Sequence, residues 1–323
     1  MLLHALMIFA YAVIPGHALA LPGANTNSNV THPQVITIPN ISSQICGTEP
    51  PSEELRQAHV DLRDNKPIGP RQSSQRLLIN TYMHFVSTFD QASTYPHNVR
   101  NTLMSAQVAV LNQAYMPANI AFRIAGTSYT VRDDWATDAN STLMKQSLRQ
   151  GTYSALNMYF QTNLSLAPYT YNPDLVLLGY CTLPTNMTYK NAQGGQTEFP
   201  AADYATDGCN VLAASMPQSP VPAYGYDEGK TAVHEVGHWF GLLHTFQDNT
   251  CNPSDPGDYI ADTPQESAST SGCPSGKDSC PGNPGLDPIN NYMDYSTDEC
   301  YNQFTPDQQT RMTNMYAMYR NNE

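Results

Sequence analysis

The run from His234 to His244, HEVGHWFGLLH, constrains what this chain can fold into more than any other stretch of it. On a helix, residues four apart share a face, so His234 and His238 aim two imidazoles at one ion while Glu235, one step round, stands beside the open coordination position. Gly241 permits a positive φ, so the chain can leave the helix there and bring His244 back as a third ligand. Three protein ligands leave one position for solvent, as in catalytic zinc sites; a structural site would close it with a fourth side chain, and no Cys lies within the run. A His pair alone would be ordinary decoration of a helix. The extended pattern predicts a zinc centre held by His234, His238 and His244, with Glu235 as the general base.

At 323 residues the chain is long enough for a large core, with a soft prior of about two domains. Its net charge of -13 repels nucleic acid and anionic membrane surfaces at neutral pH, which leaves protein or peptide substrates as the expected partners of a monomer. A basic substrate would be attracted. Residues 1–20 carry an apolar stretch from Ala5 to Ile14 and end in Ala18, Leu19 and Ala20, the pattern of a signal peptide, although no Lys or Arg precedes the apolar core. No later run approaches the roughly 20 apolar residues that span a bilayer, so a secreted, extracellular protein is expected. Five acceptor sequons, at Asn29, Asn40, Asn140, Asn163 and Asn186, agree with that compartment.

Six of the seven cysteines, Cys181, Cys209, Cys251, Cys273, Cys280 and Cys300, lie beyond residue 180, and Cys46 stands alone in a polar, Pro-rich segment with little apolar periodicity. A thiolate is a good zinc ligand, so Cys46 can fold back to fill the open position and exclude water. Residues 21–75 then read as a pro-segment and Cys46 as its inhibitory zinc ligand. The plainer reading of Cys46 is a free thiol or an intermolecular bridge.

Downstream, LLINTYMHFVST from Leu77 reads as a first strand, with His84 packed between strands rather than bound to metal. Apolar positions at Val99, Leu103, Val108 and Leu111 predict a long amphipathic helix from about Pro96 to Tyr115. Ile120 to Ile124, Leu156 to Phe160, Leu175 to Leu183 and Val211 to Ala214 read as strands, which makes a mixed sheet of α/β type. The zinc helix is expected to begin near Asp227 or Glu228, with Val233, Val236 and Phe240 on its core face. From His244 to about Asn290 the abundance of Asp, Pro, Gly, Ser and Cys predicts loops stapled by disulfides, followed by a last helix from Thr305 to about Arg320 with Met312, Met315 and Met318 in its packing.

The zinc run, the DYIADTP segment at Asp258 to Pro264, and NYMDYSTDEC followed by FTPDQQTRM together resemble the metzincin metalloproteases, and most closely the pappalysin family with its secreted fungal members. The likeness spans roughly residues 77 to 320. It implies an upper catalytic subdomain, residues 76–244, with a five-stranded mixed sheet and long helices, above an irregular, disulfide-stapled lower subdomain, residues 245–323, with the substrate cleft between them. The methionine of the turn beneath the metal would be Met293, and Tyr295 would hydrogen-bond the tetrahedral oxyanion. The strand in LLGYCTLP, with Gly179 and Tyr180, looks like the edge strand that pairs with substrate backbone. The resemblance also implies disulfides Cys251–Cys280 and Cys273–Cys300, which leaves Cys181 with Cys209.

Members that cleave before Arg or Lys place an acid where this chain has Asp298, so cleavage just before a basic residue is implied, including self-processing between Gln75 and Arg76. Asp248, Asp255, Asp258 and Asp262 offer hard oxygen ligands, and calcium near Asp258 and Asp262 is a further implication. The activity expected is that of a zinc-dependent endopeptidase made as a zymogen. The rival from another class is an inactive secreted zinc-binding module that captures peptides or proteins, and Glu235 argues against it.

Overall fold

A computed structural model of the chain describes residues 43–65, 75–165, 175–186, 188–190, 196–198, 204–223 and 225–321, all within one unit, Ile36–Glu323. The leader expected over residues 1–20 and the sequons at Asn29 and Asn40 lie outside the described residues. In chain order the principal elements are β1 (Ser43–Cys46), α1 (Glu53–Asn65), β2 (Leu77–Ser87), α2 (His97–Tyr115), β3 (Ile120–Val131), α3 (Asp133–Ala136), α4 (Ser141–Leu148), β4 (Leu156–Gln161), β5 (Leu175–Cys181), β6 (Thr188–Lys190), β7 (Gln196–Glu198), β8 (Cys209–Leu212), α5 (Lys230–Trp239) and α6 (Pro306–Met315).

The main sheet runs β1-β5-β8-β4-β2-β3. β2 is parallel to β3 and β4, β4 is parallel to β8, and β5 is antiparallel to β8. Those five strands are the mixed sheet expected from the sequence. β4 is buried at every position, as a central parallel strand covered on both faces must be. The main core, with Phe85, Leu111, Met158 and Val233, covers one face; Val86, Trp135, Met144 and Tyr159 pack on the other. α2 backs α5, the helix that carries His234 and His238, through two polar ties: Gln107 Nε2 donates to the Gly229 carbonyl at 2.9 Å, and the Tyr115 hydroxyl donates to the Val233 carbonyl at 2.8 Å.

Several elements differ from the sequence reading. The segment around Cys46 is not featureless: β1 adds a sixth strand, parallel to β5, and α1 buries Leu55, Ala58 and Leu62 against Met315 and Tyr319. Their spacing is helical, but it fills a single stripe in a segment that is otherwise polar. β3 runs to Val131 rather than Ile124 because β2 offers it eleven paired positions; as an edge strand it exposes polar residues and so lacks an apolar signature. α5 begins at Lys230, not at Asp227 or Glu228, because Gly229 stands at φ 82° and the Glu228 N–H is directed to the Asp298 carboxylate at 2.8 Å. β8 covers Cys209–Leu212, and a 3-10 turn takes up Ala213–Ser215.

The lower part is held as expected by Cys251–Cys280 and Cys273–Cys300, and Cys181–Cys209 joins directly paired positions of β5 and β8. α6 starts with a capping box in which the Thr305 hydroxyl accepts from the Gln308 N–H and the Gln308 side chain accepts from the Thr305 N–H. His84 is packed between strands, bonded to Ser128 and Asn157 and stacked on Tyr159.

Candidate active site

α5 presents His234, Glu235 and His238 on one buried face. The helix ends at Trp239, Gly241 takes φ 89°, and its N–H donates to the His238 carbonyl at 2.8 Å, so the chain reverses and delivers His244. His238 Nε2 lies 3.1 Å from both His234 Nε2 and His244 Nε2. The other ring nitrogens fix the tautomers: His234 Nδ1 donates to the Tyr292 carbonyl at 2.7 Å and His238 Nδ1 to the Leu242 carbonyl at 2.8 Å. Their Nε2 lone pairs therefore face one another, an arrangement that needs a cation between them. Tetrahedral zinc with its usual nitrogen distances sets neighbouring donors roughly 3.3 Å apart, which these rings match. Burial depresses the basicity of all three rings, that of His234 to about 4, so they stay neutral and able to ligate.

Cys46 completes the cluster, because its Sγ and one ring nitrogen from each of the three histidines lie within 4.8 Å of one another. Its N–H donates to the Tyr295 hydroxyl at 3.2 Å, and that hydroxyl also lies 3.3 Å from His244 Nε2. Burial first, and then the Glu235 carboxylate, push the thiol well above its usual range, so a thiolate here depends on a nearby cation. Burial also raises Glu235 to about 8, against the lowering hydrogen bonds from Cys46 and Thr48.

Met293 lies beneath α5, fully buried, with its Sδ 2.5 Å from where a Cβ on Gly237 would stand, so a larger residue at 237 would have to displace the Met293 side chain. Gly179 of β5 is similarly confined, since a Cβ there would be 2.8 Å from the Glu235 side chain. The edge of β5 is taken by the upstream segment: Cys46 pairs with Gly179, and the Gly47 N–H donates to the Gly179 carbonyl at 2.9 Å. Tyr180 turns its ring away and bonds its hydroxyl to Ser141 and Asp138, which anchors the strand. Thr48, which sequence reading missed, receives the Cys181 N–H at 3.0 Å and donates to Glu235 Oε2 at 3.4 Å. No local pattern marks it.

Asp298 is buried, with Oδ2 on the Glu228 N–H, the Lys230 backbone also near the carboxylate, and its backbone carbonyl accepting from Lys230 Nζ, while Oδ1 has no close hydrogen-bond partner among the described residues; burial lifts the carboxyl to about 7. Asp258 and Asp262 do not converge with a third acidic or imidazole ligand among the described residues: Asp258 Oδ1 accepts from the Ile260 N–H and Asp262 Oδ2 from the Asp307 N–H. The sequon residues Asn140, Asn163 and Asn186 are exposed.

Residues 187–317 match the family described as Pregnancy-associated plasma protein-A, Peptidase_M43. An extracellular metalloprotease of Neurospora crassa is 41% identical over 281 residues, covering 86% of this chain and 89% of that one. Extracellular metalloprotease 1 of Coccidioides posadasii is 42% identical over 285 residues, covering 87% and 92%. The chain belongs to the pappalysin family. This pappalysin is thus a secreted metalloprotease, with zinc as the metal typical of its family and protein or peptide substrates. The fold agrees: promirolysin of Tannerella forsythia superposes with a TM-score of 0.60 at 22% identity, over 82% of this chain and 89% of that one. Mature mirolysin in complex with a cleaved peptide gives 0.58 at 24%, over 78% and 94%.

Proposed function

We propose that this pappalysin is a zinc endopeptidase made as a zymogen, in which residues 21–75 hold the site closed, residues 76–244 form the upper catalytic part, residues 245–323 form the lower part, and residues 1–20 are a leader. The observation that carries the reading is the convergence of the Cys46 thiol with His234, His238 and His244. It is supported by the parallel pairing of β1 on β5, which fills the edge that a substrate backbone would use.

Bound zinc would supply Lewis acidity toward the scissile carbonyl and acidify an attacking water. The residues of the chain do the rest. Glu235 takes the proton as the water oxygen bonds to the carbonyl carbon, and holds it at its carboxylate. It delivers that proton to the amide nitrogen as the C–N bond breaks, so the amine leaves neutral and the acid carbon keeps the water oxygen. Once the Cys46 backbone has gone, the Tyr295 hydroxyl is free to donate to the developing oxyanion. Gly179 and the Tyr180 backbone align the peptide as an added strand.

Asp298 with its unpartnered Oδ1 suits a guanidinium or ammonium following the scissile bond, and that preference would make Gln75–Arg76 a self-processing site. Calcium belongs to the same proposal at Asp258 and Asp262, the first of them a buried carboxylate; a calcium-induced rise in melting temperature that Asp258→Asn abolishes supports it, and no rise in the wild type removes it. Glycans are proposed at the exposed Asn140, Asn163 and Asn186, alongside Asn29 and Asn40. The zymogen reading is tested by Cys46→Ala, which is expected to give peptidase activity before any pro-segment cleavage. A variant as latent as the wild type would overturn it.

A further inference from the structure

Behind the third histidine lies a polar knot that the chemistry above does not use. The Lys277 ammonium stands 2.6 Å from Glu266 Oε1, 2.9 Å from Asp287 Oδ2 and 3.0 Å from Thr270 Oγ1, and it also donates to the Ala268 carbonyl. Both carboxylate side chains are essentially without solvent contact, whereas the Lys side chain keeps about a fifth of its surface. Four oxygens from four residues thus surround one positive charge, the kind of hard-oxygen cage that elsewhere holds a cation.

The cage reaches the metal centre from two sides. Glu266 Oε2 accepts from the Thr245 hydroxyl at 2.8 Å, and Thr245 follows His244 directly. The Thr270 N–H donates to Asp294 Oδ1 at 2.9 Å, and Asp294 sits between Met293 and Tyr295. The Thr245 N–H meets the Met293 carbonyl at 3.2 Å, so the two segments also touch each other. Asp287 carries the connection outward, its Oδ1 accepting from the Ser279 N–H at 2.9 Å beside the Cys251–Cys280 disulfide. Without a cation, Glu266 and Asp287 would be buried carboxylates with only neutral donors, the Thr245 and Thr270 hydroxyls for one and Ser279 for the other, and the mutual placement of these segments would loosen.

We infer that Lys277 is a positioning residue for the zinc centre: its ammonium is the resident cation of an oxygen cage that fixes the His244 loop and the Met293–Tyr295 turn relative to each other. The inference rests on the reading of His244 and Tyr295 given above. Groups hydrogen-bonded directly to a metal's ligands matter by roughly 10- to 100-fold in metal affinity or activity; Lys277 stands one layer further back, behind Glu266 and Thr245, so a smaller effect is expected.

Three variants of the full chain test it. Lys277→Met keeps the length of the side chain and removes the charge; its zinc dissociation constant is expected to rise by up to about 10-fold, the low end for direct ligand partners, and kcat of the processed enzyme to fall by a similar factor with KM within about twofold. Lys277→Ser empties the cage, so in the zinc-free protein calcium should raise the melting temperature more than it does in the wild type. That increment should vanish in Lys277→Ser/Asp287→Asn. A Lys277→Met protein with wild-type zinc affinity and kcat but a lower melting temperature would make the lysine merely structural and overturn the inference, as would the absence of a calcium increment in Lys277→Ser. Wild-type protein that takes up no zinc would instead sink the functional reading itself.

Discussion

Replacing Glu235 takes away a proton acceptor while leaving the three ring nitrogens, and their carbonyl partners at Tyr292 and Leu242, in place. Glu235→Ala is therefore expected to retain zinc by elemental analysis and to lose about 10²- to 10⁴-fold in peptide turnover; turnover near the wild-type rate would remove Glu235 as the base. Asp298 is a separate matter, since it touches none of the ligands. Asp298→Asn should lower kcat/KM for peptides with Arg after the scissile bond by about 10-fold or more, while peptides with Leu there change little. Equal losses on both would show a structural acid holding Glu228, not a specificity pocket. At this scale the histidines, Glu235 and Gly241 were legible because helical period and a glycine turn are local properties of the sequence. Gly237 gave a weaker signal, a glycine inside a helix, whose reason is the Met293 sulfur, a distant residue. Thr48 and Lys277 gave none, since each acts only through partners far along the chain.

At the level of elements, α1 has a pH dependence of its own. His59 is wholly buried on it, with Nδ1 accepting from Arg311 of α6, the Gly241 backbone as a further hydrogen-bond partner, and the Tyr259 ring 5.3 Å away. Burial foremost, then the charges of Arg311 and Arg56, hold its pKa well below the ordinary 6.5. A docked α1 thus keeps His59 neutral, and a released α1 lets it protonate near 6.5. Docking is undiminished above that pH and weakens as the pH falls below it, by about tenfold per unit until the docked pKa is reached. Hydrogen exchange of the α1 amides in latent Glu235→Ala protein, corrected for intrinsic rates, should show this loss between pH 6.5 and 5, and His59→Gln should flatten it. Wild-type protection that does not change with pH would contradict the assignment. Most strands and α2 were legible from apolar patterning, whereas α1 and the far half of β3 were not. α1 has one narrow apolar stripe, and β3 is a polar edge fixed by its long partner β2.

For the whole molecule, the six-stranded sheet is the statement that matters: five strands belong to the catalytic body, and the sixth is the segment proposed to keep it silent. The sequence alone suggested the plug through a lone cysteine, but the strand and helix that seat it on either side emerge only from tertiary contacts. Conversion should therefore remove a strand, a ligand and a helix together. Sequencing of the mature N-terminus is expected to begin at Arg76, and a start far from it would contradict self-processing before a basic residue. The most direct measurement is X-ray absorption at the zinc edge on the latent and the processed protein. The latent form should show three nitrogen donors and one sulfur at about 2.3 Å, and the processed form the same nitrogens with an oxygen in place of the sulfur. A latent form without sulfur at the metal, or a processed form that keeps it, would contradict the account.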